Sequence, residues 1–251
     1  MKNLLFLLLC FSLGITSCKK NSADTNAPII ATIPVAKVKT FTIGGDAVNY
    51  TYDAQGRVLT RVSPASNWKY EYSYGTNTVN ENYYVGNTLS TTKVYDLNAD
   101  GLAIKESYTL PTTSIPYKST YTYNANKQVA TMVRSNSLNT NTTTETNFYT
   151  GTTLDSMHTT FSYNNDLYRF WYSYYTDKTN SIGYKNQGYL FWAETATITL
   201  KKQTSIFRTN GFFNTQVDDY TYSFDAENRI TKRTITTAGG GGTSVNDVTY
   251  Y

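Results

Sequence analysis

The 251-residue sequence contains few of the residues that catalytic and metal sites commonly use. It has one histidine and two cysteines, and both cysteines lie within the first 18 residues. Only 16% of its residues are charged, and no dense basic cluster is present. The strong helix formers Ala, Leu, Glu and Lys are sparse after the first few residues. These shortages argue against a helical bundle, an α/β nucleotide enzyme, a Cys/His zinc site and a nucleic-acid-binding protein.

Strand-forming and turn-forming residues take up much of the sequence instead. There are 24 Tyr, 43 Thr and 24 Asn. Tyr and Thr pack well on a pleated surface, and Asn tolerates the left-handed backbone of turns. Intrinsically disordered chains are poor in aromatic and β-branched residues, so this composition predicts a folded, all-β protein.

The N-terminus has the pattern of an export signal. Lys2 supplies a short positive region, and Leu4 to Leu13 form an apolar run that is too short to span a membrane comfortably. A segment of small residues follows and ends at Cys18. The pattern predicts a secretory signal peptide.

The residues Ile15-Thr16-Ser17-Cys18 resemble the lipobox of bacterial lipoproteins. The resemblance implies cleavage after Ser17 and a diacylglycerol on Cys18, which would anchor the protein in a membrane. Lys19 takes the place of the Asp that retains enteric lipoproteins at the inner membrane, and by analogy this implies the outer membrane. The predicted organisation is a signal peptide at 1–17, a lipid-anchored flexible tether at 18–34 and a β-hairpin domain at 35–251.

A repeated phrase runs through the predicted domain. Its best copies are residues 50–58 (YTYDAQGRV), 121–129 (YTYNANKQV) and 222–230 (YSFDAENRI). Aromatic residues at alternate positions share one face of a strand, and the Asp or Asn that follows favours a turn. A β-branched residue then begins the next strand. Each copy therefore predicts a strand, a turn and a second strand.

The turns of this phrase need a residue with left-handed backbone three positions after the Asp or Asn. Gly56 and Asn228 meet this requirement, whereas Lys127 does not, so Asn126 is expected to take the role in the middle copy. Turn markers recur every 21 to 25 residues. This spacing predicts an antiparallel meander of about eight hairpins and on the order of sixteen strands. The meander is expected to form a strongly twisted, curved sheet or a barrel-like body.

The phrase is similar to the YD repeat of Rhs and teneurin-type secreted proteins. The whole chain also resembles small, hairpin-rich lipoproteins of unknown function from Bacteroidota, including families described as porin-like in shape. Large YD-repeat proteins form closed shells around a cargo, and this chain is too short to build one. The resemblance therefore implies local structure and little about activity.

The sequence predicts no catalytic residue, no metal site and no cofactor. His158 lies in an ordinary strand context. Residues 96–101 (DLNADG) follow part of the order of a calcium loop, but the later Glu is missing at the required offset and Glu106 is only close by. The acidic residues lie mostly at turns or beside Lys or Arg. An enzyme that acts through paired carboxylates remains an alternative.

The aromatic residues give the only indication of a binding function. In the strand predicted around 168–175, Tyr172 and Tyr174 share one face and Trp171 lies on the other. Together with Trp192, these residues are candidates for a flat platform that binds a glycan or a peptide. The alternative is that the tyrosines only stabilise cross-strand pairing.

The predicted function is a non-enzymatic one, structural or binding, for a lipid-anchored protein of the outer membrane, on its surface or its periplasmic face. A glycan- or peptide-binding surface module is one alternative. An integral β-barrel is another, although such barrels need strands of about 9–11 residues with an apolar lipid-facing row, and the strands that this sequence predicts look shorter and more polar.

Overall fold

A computed structural model describes residues 36–110, 115–136, 141–193, 196, 198–209 and 211–251. The predicted signal peptide, Cys18 and the tether lie outside these ranges. The regular structure within them consists of β-strands, and no helix there is long and apolar enough to cross a membrane. The all-β class that the composition indicates is therefore observed.

Sixteen strands of 6 to 13 residues follow one another along the chain. They are β1 Val38–Ile43, β2 Asp46–Tyr52, β3 Val58–Ser63, β4 Trp68–Tyr74, β5 Thr78–Val85, β6 Thr88–Leu97, β7 Ala103–Thr109, β8 Pro116–Tyr123, β9 Val129–Asn136, β10 Thr142–Thr150, β11 Thr153–Phe161, β12 Leu167–Thr179, β13 Ile198–Thr209, β14 Phe212–Phe224, β15 Ile230–Thr237 and β16 Gly242–Tyr250.

The sheet closes into a barrel. Each strand pairs antiparallel with the next, and β1 also pairs with β16, with Val38 opposite Tyr250 and Phe41 opposite Val248. The expected twisted, curved sheet or barrel-like body of about eight hairpins is wrong, because the fold is a closed 16-stranded barrel. Closure removes both edge strands, whose unpaired backbone groups would otherwise face solvent.

Side chains alternate between the lumen and the outside of the barrel. On β2, Val48 and Tyr50 are buried, while Asn49 and Thr51 between and beyond them are exposed. The buried residues form one core that aromatic and β-branched side chains dominate. The core lies at the end of the barrel where β1 begins and β16 ends, which we call the terminal end.

Four turns at the terminal end share one hydrogen-bond pattern. The side-chain oxygen of an Asp or Asn accepts backbone N–H groups two and four residues ahead, as Asp53 Oδ1 does from Gln55 (3.0 Å) and Arg57 (2.9 Å). The other three turns begin at Asn98, Asn124 and Asp225. The Asp or Asn of the repeated phrase therefore sets the turn geometry.

Lys127 itself adopts the left-handed backbone that the sequence assigns to Asn126. Its φ is 61°, close to the 59° of Asn228 at the same place in its own turn. The expectation for Asn126 is wrong. The reason is that the Asn124 side chain fixes the turn through the N–H groups of Asn126 and Gln128. Lys127 also forms an ion pair with Asp100 (2.7 Å) from the neighbouring turn.

Tyrosines near the ends of six strands tie adjacent strands together at the terminal end. Each hydroxyl donates to a carbonyl at or next to the start of the preceding strand, over 2.5 to 3.0 Å. The pairs are Tyr52–Val38, Tyr74–Val58, Tyr123–Ala103, Tyr149–Val129, Tyr174–Leu154 and Tyr250–Ile230. This bond accounts for the second aromatic position of the phrase wherever it is Tyr.

Candidate functional site

Residues 180–193, which follow β12 on the way to β13, lie inside the barrel at the terminal end; we call them the inner segment. Its carbonyls accept backbone N–H groups from the starts of three strands. Val38 donates to Asn186 (3.0 Å), Val58 donates to Gly188 (3.1 Å) and Ala103 donates to Phe191 (3.0 Å). The inner segment therefore satisfies backbone donors that the ladder leaves free.

Aromatic side chains anchor the inner segment in the core. Tyr189 and Phe191 are 6% and 2% exposed. The Tyr189 hydroxyl accepts hydrogen bonds from Arg61 Nη1 (3.2 Å) and from the Tyr72 hydroxyl (3.4 Å). The Arg61 guanidinium also lies over the ring of Tyr70, 4.3 Å from its centroid. These contacts hold a half-buried cation between aromatic rings rather than beside a carboxylate.

A cavity of about 750 Å³ lies in the lumen beside the inner segment. Its aromatic lining includes Tyr95, Tyr121, Tyr172, Tyr174, Tyr220, Tyr222 and Trp192. Its charged lining consists of Lys93, Glu106, Arg134, Glu145 and Arg233. A concave, mostly apolar pocket with a few polar groups is the usual form of a small-molecule site, so this cavity is the candidate functional site.

One side of the cavity carries a compact charge cluster. Lys93 Nζ lies 3.1 Å from Glu106 and 3.8 Å from Glu81, and Tyr121 donates its hydroxyl to Glu106 (2.8 Å). Burial would lower the pKa of Lys93, but the two carboxylates outweigh burial and raise it above its usual value. The two carboxylates are therefore held by a shared cation.

Two other polar residues of the cavity lining, Glu145 and Asn147, have fewer hydrogen-bond and ion-pair partners than this charge cluster. Burial raises the pKa of Glu145, against the opposing effects of Asn147 and Arg134. Asn147 donates its Nδ2 to the Val129 carbonyl (3.1 Å), while its Oδ1 is buried and has no hydrogen-bond partner among the described residues.

The structure separates the four aromatic residues singled out in the sequence. Tyr172, Tyr174 and Trp192 line the cavity, and Trp192 packs edge-on against Tyr121 with centroids 4.9 Å apart. Trp171 lies on the outside of the barrel and is 38% exposed. Strand alternation separates it from its neighbours, but the sequence does not show which face meets the lumen. The inward-facing Glu145, Asn147 and Arg233 belong to no local motif, so the sequence gives no signal for them.

Trp171 belongs to a short row of aromatic residues across three strands on the outer face. Phe148, His158 and Trp171 follow one another, with ring centroids 4.9 Å and 6.3 Å apart. Burial and the positive charge of Arg169 lower the pKa of His158. Among the described residues, no group of three His, Cys, Asp or Glu side chains could hold a metal ion.

The side-chain oxygens of the partial calcium loop at 96–101 take part in turn hydrogen bonds and in ion pairs. Asn98 Oδ1 accepts backbone N–H groups from Asp100 (3.0 Å) and Leu102 (2.9 Å). Asp96 pairs with Lys105 (3.0 Å), and Asp100 pairs with Lys127 (2.7 Å). These oxygens stabilise a turn between β6 and β7.

The outer surface of the barrel is rich in hydroxyl and charged groups. Threonine hydroxyls of adjacent strands hydrogen-bond to one another there, as Thr51 and Thr60 do at 2.7 Å. Exposed ion pairs also lie on this surface; they include Lys69–Glu71, Lys105–Asp96, Lys202–Asp219 and Lys232–Asp247.

No family model and no curated protein matches the chain. Among solved structures, the barrel is similar to that of a porin-like protein from Bacteroides uniformis ATCC 8492. The two are 12% identical in sequence, the match covers 84% of this chain and 95% of the other, and the TM-score is 0.57. This likeness shows a common fold.

Proposed function

We propose that the chain is a β-barrel protein of the outer membrane that binds a saccharide in its lumen, without catalysis. The cavity inside the barrel carries the binding proposal. The location is supported by the lipobox-like sequence that ends at Cys18 and by the name of the porin-like structural neighbour.

The closed barrel and its porin-like neighbour favour a barrel over an open-sheet lipoprotein. Two arrangements at the membrane are compatible with this fold. A barrel that spans the bilayer needs an apolar outer band about 25 Å tall, and an outward Lys or Arg at mid-membrane costs about 2–4 kcal/mol. The exposed threonine pairs and ion pairs of the outer surface therefore favour the second arrangement. In it, the barrel lies in water and a lipid on Cys18 holds it at the membrane.

Releasing the barrel from its tether distinguishes the two arrangements. A recognition sequence for a site-specific protease is inserted into residues 19–34 of the full-length protein, and isolated membranes are treated with that protease. A peripheral barrel should pass into the supernatant without detergent, whereas uncut protein should stay with the membranes. A cut barrel that sediments with the membranes and dissolves only in detergent would establish the spanning arrangement.

A saccharide suits the cavity because its walls combine ring faces with hydrogen-bonding groups. Tyr172, Tyr174 and Trp192 offer aromatic surface, and Tyr and Trp rings present an apolar body with a polar tip. The carboxylate of Glu145, which lines the cavity, can accept hydrogen bonds from hydroxyl groups. Sugars present apolar C–H faces and hydroxyls together, which is the combination that these groups match.

Glycan-array screening followed by calorimetry tests the saccharide proposal, with two tryptophan variants as a matched pair. Trp192→Ala should lower the affinity for an array ligand at least tenfold, because it removes a cavity wall. Trp171→Ala should leave the affinity unchanged, because that indole lies outside. Circular dichroism and thermal midpoints verify that both variants fold. If Trp171→Ala lowers the affinity and Trp192→Ala does not, the ligand binds on the outer aromatic row. If the protein binds no saccharide on the array, saccharide binding is refuted.

A further inference from the structure

Two half-buried arginines face the interior of the barrel without a carboxylate within ion-pair distance in the described part of the chain. They are Arg61 on β3 and Arg233 on β15. Arg61 is enclosed by the rings that hold the inner segment and lies away from the cavity. Arg233 lines the cavity, so its charge is available to whatever the cavity holds.

The Arg233 guanidinium is held in a fixed orientation. Its Nε and Nη2 both donate to Asn246 Oδ1, at 3.0 and 2.9 Å, and Asn246 Nδ2 donates to the Thr42 carbonyl (2.7 Å). The guanidinium also lies over the Phe41 ring, 5.1 Å from its centroid. Asn246 is 4% exposed, so β16 and β1 support the group from behind. Two of its five N–H donors are used on one acceptor, which leaves the others for a ligand.

Burial without an anion is unfavourable for this cation. Desolvation lowers the pKa of Arg233, against the attraction of Tyr222 and Tyr220. The acidic groups of the cavity do not reach it: Glu106 is paired with Lys93, and Glu145 interacts with Arg134. Asp218, on the strand beside Arg233, is bonded to Gln216 and Thr237. An anionic ligand would supply the charge that the protein does not.

We propose that Arg233 is the anchor for a carboxylate and that the lumenal ligand is an acidic saccharide, such as one that contains a uronic acid. This inference rests on the proposed saccharide binding and adds the chemical class of the sugar. The planar guanidinium matches a carboxylate with two parallel hydrogen bonds. Tyr220 and Tyr222 beside it provide ring surface for the sugar that carries the acid.

The test uses the full-length mature protein in detergent micelles and an array of matched oligosaccharides. The members differ only in a neutral, carboxylated or sulfated substituent, with cellobiose and cellobiouronic acid as one pair. We expect the carboxylated members to bind at least tenfold more tightly than their neutral partners. A preference for sulfated members over carboxylated ones, or equal binding of all three, would overturn the inference and leave saccharide binding intact. If no member binds, the proposed function fails as well.

Two variants of Arg233 and one control then locate the effect. Arg233→Gln should lower the affinity for the carboxylated ligand about 10- to 100-fold and change that for the neutral ligand less than twofold. Arg233→Lys keeps the charge without the planar fork and should give an intermediate loss. Lys232→Gln alters the neighbouring outward residue, which pairs with Asp247, and should bind as the wild type does. Unchanged carboxylate affinity in both folded Arg233 variants would contradict the assignment.

Discussion

Replacing Tyr189 with Phe tests whether its hydroxyl holds the inner segment in the barrel. The variant keeps the ring contacts with Tyr72 and Phe191, whose centroids lie 5.6 and 6.1 Å away. It removes only the acceptor that Arg61 and Tyr72 share. Arg61 Nε is buried and already lacks a hydrogen-bond partner, so the substitution would remove a further partner from this half-buried cation.

The expected loss follows from the type of hydrogen bond that is removed. A bond to a charged group contributes about 1.5–3 kcal/mol, and the longer bond from Tyr72 adds a smaller amount. We therefore expect the free energy of unfolding to fall by about 2–3 kcal/mol. For a chain of this length each kcal/mol shifts the thermal midpoint by about 2–4 °C, so Tyr189→Phe should melt roughly 5–10 °C lower.

Thermal and urea unfolding of the purified protein, followed by circular dichroism and tryptophan fluorescence, measures the effect. Tyr163→Phe is the control, because Tyr163 is 54% exposed on a turn and should change stability by less than about 0.5 kcal/mol. A double-mutant cycle with Arg61→Met should show coupling, so that the combined loss is smaller than the sum. If Tyr189→Phe melts together with Tyr163→Phe, the hydroxyl does not hold the segment.

Three further predictions concern separate parts of the molecule. Gly101→Ala and Gly188→Ala both place Ala at a positive φ, and the first should lower the free energy of unfolding by about 1–2 kcal/mol from backbone strain alone. Gly188→Ala should lower it further, because the new Cβ would lie 2.7 Å from the Tyr52 ring and from the Val58 backbone nitrogen. Equal losses for the two variants in urea titrations would refute the close approach at Gly188. Arg169→Gln should raise the pKa of His158 towards its usual value, because it removes the nearby cation; an unchanged NMR titration of this single histidine would leave burial as the whole cause. Cys18→Ala should abolish fatty-acid labelling of the full-length protein, and normal labelling would refute the lipobox prediction.

Local structure follows closely from the repeated phrase. Asp53 and Asp225 form the turns that their position predicts, since their side chains reach backbone N–H groups two and four residues ahead. Lys127 shows where such local prediction ends. Its residue type disfavours the left-handed backbone, but the turn set by Asn124 and the ion pair with Asp100 hold it there.

The candidate site was less predictable than the turns. Alternation places Tyr172 and Trp171 on opposite faces of a strand, but both faces of these strands carry aromatic or hydroxyl-bearing residues. Which face meets the lumen depends on how the whole sheet curves, and that information is not local. Arg233 and Asn147 give no sequence signal at all, because their roles depend on cavity neighbours from distant strands.

The sequence by itself determined that the chain forms antiparallel β-strands joined by short turns, because strand propensity, alternation and turn chemistry act over a few residues. Only the tertiary structure decided that the sheet closes and that the inner segment fills one end of the lumen. The pairing of β1 with β16 joins Phe41 to Val248 across nearly the whole domain. The inner segment also meets both halves of the chain, since Val38 donates to the Asn186 carbonyl and Ile230 donates its N–H to Ser181 Oγ. Such contacts depend on the cumulative twist and packing of all sixteen strands, which no short stretch of sequence records.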